Sequence, residues 1–237
     1  MPSAARAGLA RHKRNFGNYE LTHSFRRIFA GPNMENKDRI LTRAAALFMR
    51  NGIRSVSMDD IANDLGMSKK TLYKTFTNKD EIVLGVMSTH LGQAQGDCAR
   101  VASHAADAVQ EMLTISAWAD QQFADVHPSI FHDLRKYYPA AWALLSEHKG
   151  SFILAQIIQN LRRGIAEGLF RADLDVEVLA RLNLAQLELT FNPDLFPPAQ
   201  FAPMRVNKVF DEHFLLGVAT LKGHRLFNKY QHITEEE

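Results

Sequence analysis

Between Met58 and Phe76 the apolar residues fall into two short helical runs separated by a glycine. Met58, Ile61, Ala62 and Leu65 share one face of a first helix, and Leu72 and Phe76, four apart, share one face of a second. Ser57 is a good N-cap for the first, where Asp59 and Asp60 suit the positive end of the helix dipole. Gly66 stops that helix, because a glycine takes the left-handed conformation of a sharp turn without steric cost, and Ser68 caps the next. The spacing therefore predicts a helix-turn-helix in which Leu72 and Phe76 pack back on Ile61 and Leu65. Lys69, Lys70, Thr71, Tyr73 and Lys74 are left outside. That face offers three cations for phosphates or guanine edges, a hydroxyl, and a phenol able to lie on a backbone or a thymine methyl. The plainer alternative is a solvated basic face on an ordinary helical hairpin.

The remaining pattern is also helical. Ahead of the hairpin, Leu21, Phe25, Ile28 and Phe29 permit a short amphipathic helix broken by Gly31-Pro32-Asn33, and Ile40, Ala44, Ala45, Leu47 and Phe48 mark another helix. From an Asn78 cap, a helix carrying Ile82, Val83, Val86 and Met87 runs to about Val101. Its interior glycines, Gly92 and Gly96, each cost about 1 kcal/mol against alanine, which allows either a bendable connector or a break. The next helix extends from Ser103 or His104 to Val126, and Pro128 and Pro139 bracket a shorter one with Ile130, Phe131 and Leu134. A long run after Pro139 stops near Gly168, with Gly150 placed to kink it. Asp173 or Asp175 caps a helix from Val176 to Phe191 that is apolar nearly all round, a pattern that implies burial on two sides. Four prolines make residues 192–203 a stiff connector, and a closing helix follows from about Arg205 to Leu221. Leu187, Phe191, Phe210, Phe214 and Gly217 on these last two helices form a candidate dimer interface, the glycine allowing close approach. A purely intrachain core is the alternative.

Charge changes the picture more than length does. The formal net charge of +2 over 237 residues is unevenly spread. Met1 to Asn33 has Arg6, Arg11, Lys13, Arg14, Arg26 and Arg27 against Glu20. Residues 34–83 have nine basic against seven acidic side chains, and the remainder has thirteen against eighteen. Cationic density thus lies toward the helix-turn-helix end, as in a head that faces DNA and a body that stays off it. For residues 1–33 three readings compete: a basic arm that adds DNA contacts, a targeting peptide, or sequence ahead of a natural start at Met34. The single cysteine, Cys98, excludes an intramolecular disulfide and a cysteine-cluster zinc site, and it suits a reducing cytoplasm. No apolar run is long enough to span a membrane.

No nucleophile elbow, phosphate-binding glycine loop or His-Glu-x-x-His is present, and the ten histidines are scattered, so neither enzyme chemistry, cofactor nor metal is expected. Trp118, Phe123, Phe131, Tyr138 and Trp142, with Gln156 and Glu188 as polar members, are the candidates for a small-molecule pocket in the body; an aromatic core is the alternative. Glu188 among Leu187, Leu189 and Phe191 must face solvent or find a buried partner such as a cationic ligand.

From about Asp38 to Val83 the chain resembles the TetR-type bacterial transcriptional regulators. The likeness rests on Ile40, Ala44, Ala45, Leu47, Phe48 and Gly52, then Ser57-Met58-Asp59-Asp60-Ile61-Ala62, Gly66-Met67-Ser68-Lys69-Lys70-Thr71-Leu72-Tyr73-Lys74 and Phe76-Thr77-Asn78-Lys79-Asp80-Glu81. It implies that Lys69 to Lys74 face the major groove, that Tyr73 touches a phosphate, and that Lys79 binds backbone at the start of the next helix. Thr75 departs from the histidine or tyrosine more usual there. The resemblance also implies a helix from Asn78 that joins head to body and a four-helix dimer interface built from the last two helices. The expected architecture is all-α: an uncertain basic extension over 1–33, a three-helix DNA-binding head over 34–83, a helical effector-binding and dimerising domain over 84–230, and an acidic tail over 231–237. The expected partners are a double-stranded DNA operator, a second copy of the chain and an unidentified small-molecule effector. A helical carrier or enzyme with a degenerate head, and a nonspecific architectural DNA binder, are the competing functions.

Overall fold

The computed structural model describes residues 36–124, 126–197 and 199–233, all within one unit of the chain, residues 34–237. Regular structure among them is helical, with one isolated antiparallel bridge between Phe170 and Ala219. The expectations for residues 1–33 and for the acidic tail from 234 onward lie outside the described residues.

Three helices make the head: α1 (Asn36–Asn51), α2 (Met58–Asp64) and α3 (Lys69–Thr75). Ser57 closes a capping box at the start of α2: the Asp60 N–H donates to Ser57 Oγ at 3.1 Å and the Ser57 N–H donates to Asp60 Oδ2 at 2.8 Å. Gly66 turns the chain at φ 63°, and Ser68 Oγ accepts from the Thr71 N–H at 3.1 Å. Ile61, Leu65, Leu72 and Phe76 are all buried together with Ile40, Ala44 and Phe48 of α1.

From the Asn78 cap, α4 (Lys79–His104) runs unbroken through Gly92 and Gly96, so the break allowed by the sequence does not occur. It runs three residues past the expected end because the Ser103 Oγ donates to the Arg100 carbonyl and His104 folds onto the same oxygen. Asp107 then caps α5 (Ala108–Phe123), which begins later than expected. The short helix is α6 (Ile130–Tyr137). After it, α7 (Pro139–His148) passes through a five-residue π turn, Lys149–Ile153, into α8 (Leu154–Ala166). Where Gly150 was expected to kink one helix, a widened turn takes up the strain instead.

Asp175 caps α9 (Val176–Leu189), and α10 (Pro203–Val218) is followed by a further helix, α11 (Leu221–Gln231). The closing helix expected to Leu221 therefore ends early. Thr220 breaks it: its N–H and hydroxyl both donate to the Leu169 carbonyl, and its Oγ1 accepts from the Gly223 N–H at 3.2 Å to start α11. Basic residues hid this helix from the pattern, although Phe227 is buried and Leu226 and Tyr230 pack on the body core.

Two apolar cores result. One, centred on Val109, Leu161, Phe170, Phe214 and Leu215, organises α5, α8, α10 and α11. The other begins in the head and continues into Ile130, Leu134, Tyr138 and Ala141, so α6 and the start of α7 share the head's core rather than the body's.

One polar cluster sits between α5 and α10. Asn207 Nδ2 donates to Asp120 Oδ1 at 3.1 Å and to Asp211 Oδ2 at 3.0 Å, and Ser116 also donates to Asp211. Burial first, and then the Asp120 charge, push the Asp211 carboxyl up to about 6, well above the usual carboxylate range, against the lowering effect of the Ser116 and Asn207 hydrogen bonds. A carboxyl that binds its proton more tightly when folded adds stability that is complete below its unfolded pKa and fades as pH rises through the folded value. Asp211→Asn keeps the accepting oxygen and removes the charge. It should therefore raise stability at pH 7 by on the order of 1–3 kcal/mol and flatten the pH dependence of thermal melting between about 4 and 6. A lower melting temperature at pH 7 would refute the burial account.

Candidate nucleic-acid interface

Helix α3 turns Leu72 inward and leaves Lys69, Lys70, Thr71, Tyr73 and Lys74 exposed, with Tyr73 at 51% exposure. These side chains are not equivalent. Lys69 is ion-paired to Asp59 of α2, and the Thr71 hydroxyl lies 2.8 Å from the Ser68 hydroxyl. Lys70 and Lys74 project one turn apart and make no ion pair among the described residues. Thr75 is half-buried, and its hydroxyl donates to the Thr71 carbonyl at 3.5 Å. The Ser57 N–H and hydroxyl both go to Asp60, so its part in the site is to start α2.

Lys79 is oriented differently from the expectation. Its ammonium donates to the Arg54 carbonyl at 3.4 Å and lies 5.9 Å from the Phe48 ring centre and 5.8 Å from that of Tyr138. Burial lowers its pKa, with Asp133, Asp80 and Asp60 opposing the shift. The charge is spent on the seam between head and body.

That seam has no signal in the residue pattern. The Arg54 N–H donates to Asp133 Oδ2 at 3.1 Å, and the Arg54 guanidinium donates to the Tyr137 hydroxyl at 3.0 Å. The His127 N–H donates to the Met49 carbonyl at 2.9 Å, and Ser129 Oγ donates to Asp133 Oδ2 at 3.1 Å. Gly52, at φ 79°, completes the fit: a Cβ there would stand 2.6 Å from Ser129 Oγ. Residues 49–54 of the head are thus gripped by α6 and the segment before it. No periodicity announces a contact made by a turn across some eighty residues.

The candidate pocket residues do not converge on one site. Trp142 and Glu188 do meet, in a cleft of about 370 Å³ completed by Arg135, Ser146, Lys149, Gly150 and Leu184. Lys149 pairs with Glu188 and lies over the Trp142 ring, 5.2 Å from its centre. Phe123 instead packs edge-on and Phe131 at a tilt against Phe191, at 5.2 and 4.6 Å from its ring centre. Tyr138 belongs to the head core, the Trp118 indole donates to Asp97 at 3.3 Å, and Gln156 pairs along its own helix with Gln159. Among the described residues no group of His, Cys, Asp or Glu is arranged to hold a metal ion. Burial pushes the Cys98 thiol up to about 11, which leaves it protonated and unreactive at neutral pH.

The dimer candidates also divide. Phe214 is 4% exposed in the chain's own core, Phe191 joins the aromatic trio and Phe210 packs edge-on against Phe196. They are satisfied within the chain because aromatic rings close to α5 and the connector find partners there. Gly217 is exposed, with open space where a side chain would be, and Leu187 is half-buried. The uncovered apolar side chains on these two helices are others: Val178, Leu182 and Leu189 in one stripe with exposed Ala185 on α9, and Met204 and Val209 on α10.

A helix-turn-helix with a free cationic face, mounted on a helical body, defines a DNA-binding transcriptional regulator. Residues 40–86 match the family model described as bacterial regulatory proteins, tetR family. The HTH-type transcriptional repressor KstR2 of Mycobacterium tuberculosis is 26% identical over 159 residues, 64% of this chain and 78% of the relative. The solved structure of that ketosteroid transcriptional regulator shares the fold with a TM-score of 0.54 at 20% identity, over 81% of this chain and 98% of the other. A transcriptional regulator from Saccharomonospora viridis, solved in complex with choline, gives a TM-score of 0.65 at 20% identity over 78% and 97%. These are regulators and not enzymes, which removes the enzyme alternative. No helix among the described residues is long and apolar enough to cross a membrane.

Proposed function

We propose that the protein is a repressor released from a palindromic operator by a small molecule, acting as a homodimer in the cytoplasm. The observation that carries the reading is the uncompensated pair Lys70 and Lys74, beside Tyr73, on a helix whose other face is buried in the head. A two-fold dimer presents two such helices to major grooves about 34–36 Å or a multiple apart, so the operator has matching half-sites. Selecting bound fragments from a random duplex library tests this. An enriched inverted repeat is the expected result, and equal affinity for selected and random duplex would favour the architectural reading.

Release requires an effector that binds the DNA-free form better, by about 5.5 kcal/mol for a near-complete switch. Helix α6 is suited to carry that preference to the head. Ser129, Asp133 and Tyr137 recur every fourth residue and hold the head's turn, whereas Phe131 and Arg135, also four apart, reach the aromatic trio and the cleft. A rigid two-turn helix that shifts with Arg135 shifts Asp133 as well. Asp133→Ala removes the acceptor of the Arg54 N–H at a cost of about 1–3 kcal/mol to the local seam. Amide exchange over residues 49–57 should speed up while the core around Leu161 keeps its protection. Unchanged exchange in that turn would argue against the coupling.

A further inference from the structure

Helix α7 and the π turn present Trp142, Ser146, Lys149 and Gly150 to the cleft, and α9 presents Leu184 and Glu188 one turn apart. Ser146 and Gly150 have too little side chain to fill the space, and a Cβ on Gly150 would meet nothing within 4 Å. The volume of about 370 Å³ falls in the range of small-molecule sites, about 300–1,000 Å³. One wall is an indole ring and one an isobutyl group, so the cleft takes a flat or aliphatic body.

Its charge decides the head group. Arg135 and Lys149 face one carboxylate, Glu188, and Arg135 makes no ion pair among the described residues. The Lys149 side chain is 20% exposed and that of Glu188 57%, so the cation is fixed in the wall and the carboxylate is its solvated, replaceable partner. A ligand cation is disfavoured on two counts: Lys149 already covers the face of Trp142, and Arg135 repels a second positive charge. The sequence left Glu188 either facing solvent or holding a buried partner such as a cationic ligand; it is exposed and paired with Lys149, so it asks for no ligand cation.

We infer that this cleft binds a small organic anion, its carboxylate held between Arg135 and Lys149 and its apolar body lying against Trp142 and Leu184. This names the effector class and rests on the effector-released reading above. Because Arg135 lies on α6, the anion engages the helix that grips the head.

Calorimetry of the full chain with 1-naphthoate, octanoate and 1-naphthylmethylammonium tests the inference. At least one of the two anions should bind once per chain and about tenfold or more tighter than the ammonium. Arg135→Gln should weaken that anion about tenfold, and Glu188→Gln, which removes the competing carboxylate, should tighten it several-fold. Both side chains are largely solvated, so melting temperature should change little and a binding loss is not an unfolding effect. The inference is overturned if the ammonium binds as tightly as both anions, or if Arg135→Gln leaves anion affinity unchanged. Gel shift with the selected operator separates the two claims. Anion binding without operator release leaves the site standing and removes the effector role, whereas operator binding with no anion uptake removes the site alone.

Discussion

Replacing Lys70 and Lys74 together by alanine is expected to lower operator affinity by at least about a hundredfold, two lost charge-assisted contacts of about 1.5–3 kcal/mol each. Both ammonium groups are exposed and free of ion pairs among the described residues, and neither takes part in a cap or the head core. The double variant should therefore keep its helicity and its association state. Counterion release gives a second, independent signature: with two cations lost from each of two subunits, the slope of log affinity against log salt should fall by about 4 in magnitude. Lys69→Ala should do less, because that ammonium is already shared with Asp59. Anisotropy titrations at several salt concentrations decide the matter. An unaltered affinity and slope would mean that α3 does not enter a groove.

Placing aspartate at both Val178 and Leu182 is expected to dissociate the proposed dimer. These residues are 60% and 49% exposed, lie one turn apart, and continue through Ala185 to Leu189 as a stripe that the chain itself leaves bare. In an isolated chain two charges there cost nothing, since water already reaches the positions. In a dimer that buries the stripe, each would have to shed its hydration without a partner, which such an interface does not tolerate. Loss of the tether between two heads should then weaken operator binding by about 10²–10⁴-fold with α3 unaltered. Sedimentation velocity should show a single-chain species with an unchanged helical spectrum. A persisting dimer would place the interface elsewhere, whereas Phe214→Asp should unfold the chain in any case because that ring is inside its core.

The head was readable from local signals, each of which acts within four residues. Ser57 with Asp60, Ser68 with Thr71, and Gly66 between them specify two helices and their turn, and every apolar position assigned to that hairpin is buried. The body's helices as far as α10 were readable for the same reason, through Asn78, Asp175 and the prolines, whereas α11 was not. Boundaries slipped where a side chain took an unforeseen backbone partner, as at Ser103 and Thr220. The pocket candidates separated in the fold, and of the dimer candidates only Phe214 is fully inside the chain's own core. An aromatic residue on a helix declares that it will be buried, not against which element, and Phe191, Phe210 and Phe214 found neighbours in their own chain.

What the amino-acid order determines alone is thus the helical class, the capped hairpin and its exposed cationic face, because caps, turn glycines and apolar periodicity are properties of a few consecutive residues. The three-dimensional packing decides which cations remain free, Lys70 and Lys74 and not Lys69 or Lys79, since a distant Asp59, Arg54 or Tyr138 claims the others. It also decides that α6 belongs to the head's core while carrying Arg135 to the cleft, and which apolar stripe stays bare. Each of these depends on residues far apart in the chain, and sequence spacing carries no information about which of them meet.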